Sequence, residues 1–449
     1  MISKANKLFR IFTGSRGSIL SPSIVFFGLR VCGIGLAYAL SITVSRFYGP
    51  HIFGVFMLCW SILQVTTVFG RLGFDVSILR FVADEIAMGP CGSVRSVYFN
   101  IIGLTLVITF CIALMFRFTS PFIASHVFHK PDLANYFSMV LYSLPFYVIL
   151  SISAAFLRAF KDITMFSFLQ NVSIYLLTLA GIFVSMPYVN QSPMLPFRCF
   201  IFASVISAFA GLLLSVRKLV STESDPDRQM NLSSMVRISF PMFLTSSMFL
   251  VLSWNDTFML GAMRSEAEVG IYNAALRVAS VISLPLISVN SIIGPKIAEL
   301  YANKHIEDLR HLIYFSSKLM FVSAGSIFAI VVFFAPFWLS LFGPSFKTGV
   351  FTLIFLSVGY LLNALCGSVG YILNMTGRQN IFSRIIVSAS IFNIILNYAG
   401  IRFYGIEGAA AATTLCSVYW NLASVYVIKR ELDINIFSVY SRDKGAKVK

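Results

Sequence analysis

The sequence predicts an all-α integral membrane protein, with twelve transmembrane helices in two parallel-repeat lobes of six around a central cavity and both termini cytoplasmic. Three observations carry that expectation. First, hydrophobic residues make up 57% of the 449-residue chain and charged residues only 12%, with 45 Phe and a mean hydropathy of +0.83; a soluble globular chain carries about 25% charged residues. Second, twelve windows are long and apolar enough to cross a hydrocarbon core, which takes about 20 residues per helix. Third, landmarks of the first half return in the second at a near-constant offset. The composition excludes an ordinary cytosolic enzyme, a disordered chain and a nucleic-acid binder, although the formal net charge is +16.

The basic stretch Lys4, Lys7, Arg10, Arg16 precedes the apolar run Ile19 to Ser45. That run has no small-residue cleavage site, so it reads as a retained first span rather than a signal peptide. The windows then follow at about 19–45, 52–70, 96–116, 133–157, 164–186, 197–216, 238–262, 270–293, 314–338, 349–374, 380–401 and 406–428. The second is the weakest, and its polar end continues as an amphipathic pattern to about Ala87. No alternation of the barrel type competes with these runs. The predicted organisation is a first lobe over 1–216, a cytoplasmic linker over 217–237, a second lobe over 238–428 and a basic tail over 429–449.

Lys/Arg counting sets the orientation. With the N-terminus inside, the inner segments hold 25 basic residues and the outer ones seven, Arg46, Arg117, Lys130, Arg198, Arg264, Lys347 and Arg402. The net positive charge is therefore mainly a topology signal, helped by anionic lipid at the inner surface. The longest outer loop, about Arg117 to Asp132, is too short for a soluble domain.

The repeat rests on three landmarks. Gly54-Val55-Phe56 opens the second span and Gly270-Ile271-Tyr272 the eighth, 216 residues on. Pro121-Phe122 follows the third span and Pro336-Phe337 closes the ninth, 215 on. Leu157 with Phe166-Ser167 returns as Leu373 with Phe382-Ser383, again 216 on. Six spans per repeat keeps both halves in one orientation, as in transporters whose substrate site lies between parallel halves.

A few charges fall where hydrocarbon should be. Arg30 lies near the middle of the first span, flanked by Gly28, Gly33 and Gly35. A central Arg costs about 2.5–3.5 kcal/mol on insertion scales, so it needs a cavity or a partner. It reads either as a structural hydrogen bond or as a fixed cation for phosphate oxygens, which its planar fork suits. Asp256 in span 7 and Arg277 in span 8 lie at similar depth, about 9–10 Å in. They read either as a structural ion pair or as Arg277 joining Arg30 while Asp256 takes a coupling proton or cation. Arg71, Asp75 and Arg80 crowd the inner end of span 2, either paired locally or as a funnel for an acidic head group. Pro145, Pro241 and Pro285 mark kinks or static packing in spans 4, 7 and 8.

Seven scattered Cys with no CxxC read as core residues, and His126 with His129 lacks a third metal ligand of suitable spacing. No ATP, zinc-peptidase, nucleophile-elbow or dinucleotide motif occurs, so no cofactor is expected, and the driving force is an ion gradient, the membrane potential or mass action.

Several stretches resemble a known family. Arg46-Phe47-Tyr48-Gly49-Pro50 followed by Phe53-Gly54-Val55-Phe56, and Gly73-Phe74 to Leu79-Arg80-Phe81-Val82-Ala83, resemble the first segments of polysaccharide-export proteins. Asp256-Thr257-Phe258-Met259-Leu260-Gly261, then Val269-Gly270-Ile271-Tyr272 with Ala275, is the strongest match. Gly370 to Arg378 and Gly405-Ile406-Glu407-Gly408-Ala409-Ala410 are similar to its later part. The chain thus resembles the Wzx-type O-antigen flippases of the multidrug/oligosaccharidyl-lipid/polysaccharide exporter superfamily. That resemblance implies a non-enzymatic, alternating-access transporter of the bacterial inner membrane. The implied cargo is an undecaprenyl-pyrophosphate-linked oligosaccharide, and the implied partners are membrane lipids, a polysaccharide polymerase and a chain-length regulator. It also implies that Arg30 and Arg277 serve as cavity arginines; Arg71 and Arg80, on the funnel reading of their position, are expected as further substrate contacts. The competing expectations are an ion-coupled drug or metabolite antiporter of the same superfamily, which two central arginines disfavour, and an integral-membrane polymerase or ligase, which needs a larger outer loop.

Overall fold

The structure, a computed structural model, describes residues 17–87, 93–188, 192–220 and 232–436. The basic stretch Lys4 to Arg16, Cys91, linker residues 221–231 and the tail from 437 onward lie outside the described residues. Those described form helices and turns with no strand, as a chain with so few polar side chains must if its backbone groups are to be satisfied in lipid. Nine stretches among them are long and apolar enough to cross a membrane. Large apolar side chains such as Phe110, Phe118, Phe202, Phe333 and Phe403 face outward. The chain is a multi-pass membrane protein.

Helix α1 (Gly17–Arg71) is 55 residues long and would reach about 80 Å if straight. It is bent at Gly49 (φ 79°, ψ 176°), a conformation that suits glycine alone. Pro50 follows, and its ring keeps the preceding residue out of the helical region. The limbs 17–48 and 50–71 match the first two windows, so the expected loop between them is one bent residue. A second break at Leu72 and Gly73, both at positive φ, releases the amphipathic α2 (Phe74–Ala87). Its Phe74, Ile78, Phe81 and Val82 are buried. Glu85 is buried too, and accepts the backbone N–H of Ser93 at 2.6 Å, which satisfies an orphan donor at the start of α3 (Val94–Phe122).

The expected outer loop from Arg117 is helical as far as Phe122 and continues as a π-turn over Ile123–Val127. Span 4 is two helices, α4 (Leu133–Leu141) and α5 (Leu144–Ala159), with Pro145 in the first turn of α5, where its missing N–H costs nothing. Span 5 is α6 (Ile163–Ser167), a π-segment (Phe168–Ser173) and α7 (Ile174–Ser185). Span 6 is α8 (Leu195–Val220).

In the second half, α9 (Leu232–Met263) carries Pro241 without a break, and α10 (Glu266–Ser280) opens with a capping box between Ser265 and Glu268. A 3-10 turn leads to α11 (Leu284–Ala302), with Pro285 in its first turn. Then come α12 (Ile306–Phe333), α13 (Ala335–Ser340), α14 (Val350–Cys366) and α15 (Val369–Met375). Last is α16 (Gln379–Leu432), bent at Gly405 (φ 60°, ψ −135°). Gly400 and Gly408 pack back to back across that bend; a Cβ on either would run into the other's backbone.

The halves meet where α1 crosses α10. Gly54 and Gly270 face each other there: a Cβ on Gly54 would strike the carbonyl of Glu266, and one on Gly270 the carbonyl of Pro50. These are the two glycines that open the repeated triplets. One continuous apolar core runs through the first half and into this end of the second, including Leu260, Val269, Ala274, Phe342 and Ala409. At the Arg71 end, α11, α12, α15 and α16 have a separate core around Ile297, Leu309, Leu373 and Ile428. Contact between halves at that end includes α2 and the end of α1 against α9, by a 2.6 Å hydrogen bond between the Ser77 and Ser239 hydroxyls and the Phe69–Phe243 ring pair.

Gly54→Ala should therefore lower the stability of the detergent-solubilised chain by about 1–3 kcal/mol. Gly28→Ala, whose Cβ meets nothing within 4 Å, should be neutral or stabilising by up to about 1 kcal/mol. Thermal melting of both variants checks this, and equal melting temperatures would remove the close-crossing account.

Candidate functional site

Arg277 sits in the last turn of α10 and reaches between the two limbs of α1. Its Nη1 donates to the Ala37 carbonyl at 3.3 Å, and its Nη2 lies 3.8 Å from the Met57 sulfur. Its Nε is buried with no partner among the described residues. Its own carbonyl accepts from Ser280 at 2.6 Å and from the Tyr38 hydroxyl. Guanidinium donors left partly unfilled in a dry site cost free energy, and an anion arriving there would recover it.

Arg30 lies on the first limb of α1, seven residues from Ala37 and so about 10 Å along the same helix. It is half-buried and has no hydrogen-bond or ion-pair partner among the described residues. The structural hydrogen bond that was one of its two readings is therefore not made. Gly33, one turn further on, fits against the backbone and Cβ of Asn171 in the π-segment of span 5; a Cβ there would clash.

Asp256 and Arg277 do not pair, which removes the structural ion-pair reading. Depth alone suggested it; the two side chains leave their helices on different faces. Asp256 is 5% exposed and points across α9 toward α16. Its Oδ2 accepts from Tyr272 at 2.8 Å and from Thr413 at 2.6 Å, and its Oδ1 accepts from the Asn397 amide at 2.8 Å. Beside it, Asn255 donates to Asn393 at 2.9 Å. This knot ties α9, α10 and both limbs of α16 together. The partners on α16 had a signal in the sequence: Asn393 and Asn397 are four apart, hence on one face of an apolar helix.

Arg71 and Arg80 fit the paired reading rather than the funnel. Arg71 donates to Asp75 at 3.1 Å, and Arg80 lies 3.6 Å from Asp84 with its side chain 63% exposed. The first pair bridges the break at Leu72 and Gly73, and the second is an exposed i,i+4 pair on α2 worth at most about 0.5 kcal/mol. Both belong to the opposite end of the bundle from Gly49, far from the Arg277 carbonyl network.

A lock that the sequence did not single out closes the Gly49 end. Lys130, in the turn before α4, donates to the carbonyls of Gly261, in the last turn of α9, and Arg264, just beyond it, and lies 3.6 Å from Glu266 at the start of α10. A cation there neutralises both the carbonyl end of one helix and an acid at the next. Arg264 in turn donates to the Ile401 carbonyl at 2.6 Å. Lys130 thus fastens the first half onto two helices of the second. Among the described residues no group of His, Cys, Asp and Glu could hold a metal ion.

A family model described as "Polysaccharide biosynthesis protein" matches residues 22–301, and a second, MatE, matches 241–399. A probable low-salt glycan biosynthesis flippase, Agl15 of Haloferax volcanii, is 26% identical over 217 residues, 47% of this chain and 46% of that protein. The chain thus spans about half the length of the curated relatives it matches first. Among solved structures, an inward-facing multidrug resistance MATE family transporter of the MOP superfamily superposes with a TM-score of 0.73 at 14% identity, over 94% of this chain and 99% of that one. The lipid II flippase MurJ in an inward closed conformation also gives 0.73, at 14% identity, over 91% and 87%. At such identity these two show a shared fold.

Lys130→Met should loosen the ends of α9 and α10 by about 1 kcal/mol, read as roughly fivefold faster amide exchange across 261–270. Unchanged exchange there would show that Lys130 is not a fastening.

Proposed function

The chain belongs to the polysaccharide biosynthesis protein family, and from that premise we propose that it is a non-enzymatic flippase for a lipid-linked glycan. The finer reading is that it moves an undecaprenyl-pyrophosphate-linked oligosaccharide, an O-antigen or similar repeat unit, from the cytoplasmic to the periplasmic leaflet of a bacterial inner membrane. The proposed organisation is twelve spans in two lobes of six, 1–216 and 238–428, with both termini cytoplasmic: the nine apolar stretches, with α1 and α16 each taken as two limbs, and α9. The Gly49 end is then the outer face and the Arg71 end the inner one.

The observation that carries this reading is the placement of Arg277 and Arg30. One is wedged between the limbs of α1 with an unfilled Nε; the other stands about 10 Å along the same helix without a partner. A diphosphate is the part of the cargo that hydrocarbon rejects most strongly, and two unspent guanidinium groups suit it. The lipid tail stays in the bilayer while the sugars occupy a wet cavity between the lobes. Arg71 and Arg80, paired with Asp75 and Asp84, serve at most as transient contacts for a head group at the inner surface.

The halves are fastened at the Gly49 end by the glycine crossing, by Lys130 and by the Tyr38 bond to the Arg277 carbonyl. This corresponds to a state shut toward the outside. Opening outward requires α1 and α10 to separate. Arg277 belongs to both the lock and the head-group site, so an anion that draws its side chain away from Ala37 also strains the contact that keeps the outer end shut. Asp256 in its hydrogen-bonded knot is the group placed to take a coupling proton or cation. A second reading, an ion-coupled antiporter of the MATE type, is favoured by the MatE match over 241–399 and disfavoured by the two arginines.

Arg30→Ala and Arg277→Ala should each lower export at least about tenfold, since a charge-assisted hydrogen bond contributes about 1.5–3 kcal/mol; the Lys variants should keep part of it. The measurement is complementation of a flippase-deleted strain, scoring surface polysaccharide and accumulated lipid-linked precursor. Full surface polysaccharide from both Ala variants, with the protein in the membrane, would discard the anchor role.

Asp256→Asn keeps two acceptor positions on its remaining oxygen and should fold, but transport should lose its dependence on pH. Wild-type transport by Asp256→Asn with an unchanged pH profile would end the proton-switch role.

A further inference from the structure

We propose that the face on which the first limb of α1 meets the π-segment of span 5 is a subsite for the sugar next to the diphosphate, with Gln170 as its hydrogen-bonding residue beside Arg30. The inference rests on the flippase reading above and adds a residue and a ligand class to it. Its starting point is register. The Phe26 and Phe166 rings stack with centroids 6.3 Å apart and planes within 4°, and Gly33 packs on Asn171. These contacts run α1 and span 5 side by side at an offset of 138–140 residues, which brings Arg30 level with Gln170.

Both side chains are unspent. Gln170 is exposed, and neither it nor Arg30 has a hydrogen-bond or ion-pair partner among the described residues. An unpaired amide facing acyl chains at that depth is costly, so Gln170 must meet water or a polar ligand. The backbone adds a reason for its direction. Residues Phe168–Ser173 form a π-turn, wider than an α-turn, and such bulges recur at functional sites. The wider turn sets Gln170 above Phe166, on the side of span 5 that stacks on α1, and leaves Asn171 against Gly33 with its amide donating back to the Ser167 carbonyl at 3.1 Å. Below, Arg158 lies over the Phe166 ring at 5.2 Å, so a cation also marks the mouth of the same face.

The chemistry fits a diphosphate with a hydroxylated ring attached. Arg30 supplies the charge for the phosphate. Gln170 can donate to and accept from adjacent ring hydroxyls, and the flat Phe26–Phe166 pair offers an apolar face to the ring's C–H side. A bare diphosphate uses the arginine alone.

The test is native mass spectrometry of the full chain in detergent with three probes: undecaprenyl diphosphate, undecaprenyl-diphosphate-linked N-acetylglucosamine and inorganic pyrophosphate. Wild type should retain the sugar-bearing lipid about fivefold better than the bare one, the size of one net hydrogen bond. Gln170→Met, of similar volume, should bring that ratio to about one with binding of the bare lipid unchanged, and Arg30→Ala should weaken both lipids. Gln170→Asn, which keeps the amide one methylene shorter, should give an intermediate ratio and serves where the Met variant does not fold. A full preference retained by either Gln170 variant overturns the subsite, as does a wild type that holds both lipids equally or holds pyrophosphate as well as the sugar-bearing lipid. A wild type that retains no lipid overturns the flippase reading and the subsite with it.

Discussion

Gly54 and Gly270 let α1 and α10 touch backbone to backbone, and the contacts that join the two halves at the Gly49 end lie within a few turns of that crossing. Pro50 and Glu266 supply the carbonyls that a side chain would strike. Lys130 reaches the same Glu266, and about three turns further along α10 Arg277 lies against Ala37 and Met57. Small residues allow such an approach in a membrane, where apolar surface gains little by leaving lipid for protein and close packing has to supply the adhesion. A contact of this kind is shape-dependent and short-ranged. It holds firmly when the backbones meet and contributes little once they have parted by a few ångström, which suits a lock that must be either made or broken.

The second constraint is that a polar group in this interior must find partners. Asp256 accepts three hydrogen bonds from three different segments, and each partner is itself anchored by the helix it belongs to. Such a network fixes the relative rotation of α9, α10 and α16, because turning any of them would leave buried donors unmet. Arg30, Arg277 through its Nε, and Gln170 break this rule on the face of α1 that looks toward span 5 and α10. The contrast is local: around Asp256 the donors of three segments are spent in holding helices together, and where α1 meets α10 and span 5 guanidinium and amide groups are left available.

Much of the fold was legible because hydrophobic length and glycine placement are local properties. The windows, the amphipathic stretch ending at Ala87 and the breaks near Pro145 and Pro285 all follow from residues within a turn or two. The sequence was less able to say which way a side chain leaves its helix. Asp256 and Arg277 share a depth, and depth suggested a pair. Their azimuths differ, and azimuth depends on how α9 and α10 roll against α16 and α1. The loop expected over Arg117 to Asp132 shrinks to the turn before α4 for a related reason: nothing local stops α3 before Phe122, and Pro121 falls where the helix is already giving way to a π-turn. Gln170 was hidden in an apolar window, since the π-segment that sets its direction leaves no trace in hydropathy.

The two halves keep the repeat in their scaffold and abandon it in their chemistry. At the 216-residue offset, Tyr272 and Thr413, which both donate to Asp256, correspond to Phe56 and Phe197. Those two phenylalanines touch, with ring centroids 5.5 Å apart. Asp256 itself corresponds to Leu40, buried at 3%, and Asn397 to Gly181. One framework position is thus filled by a hydrogen-bonded acid in one half and by packed apolar side chains in the other. A greasy cluster adapts to small shifts because dispersion is non-directional; a carboxylate knot does not, and it responds to a proton or a cation. The same backbone arrangement therefore yields a compliant half and a switchable half. Under the coupling role proposed for Asp256, motion between them needs a single ionic event rather than two coordinated ones, and the Arg277 contact with Ala37 and Met57 on α1 would connect that event to the crossing at Gly54 and Gly270.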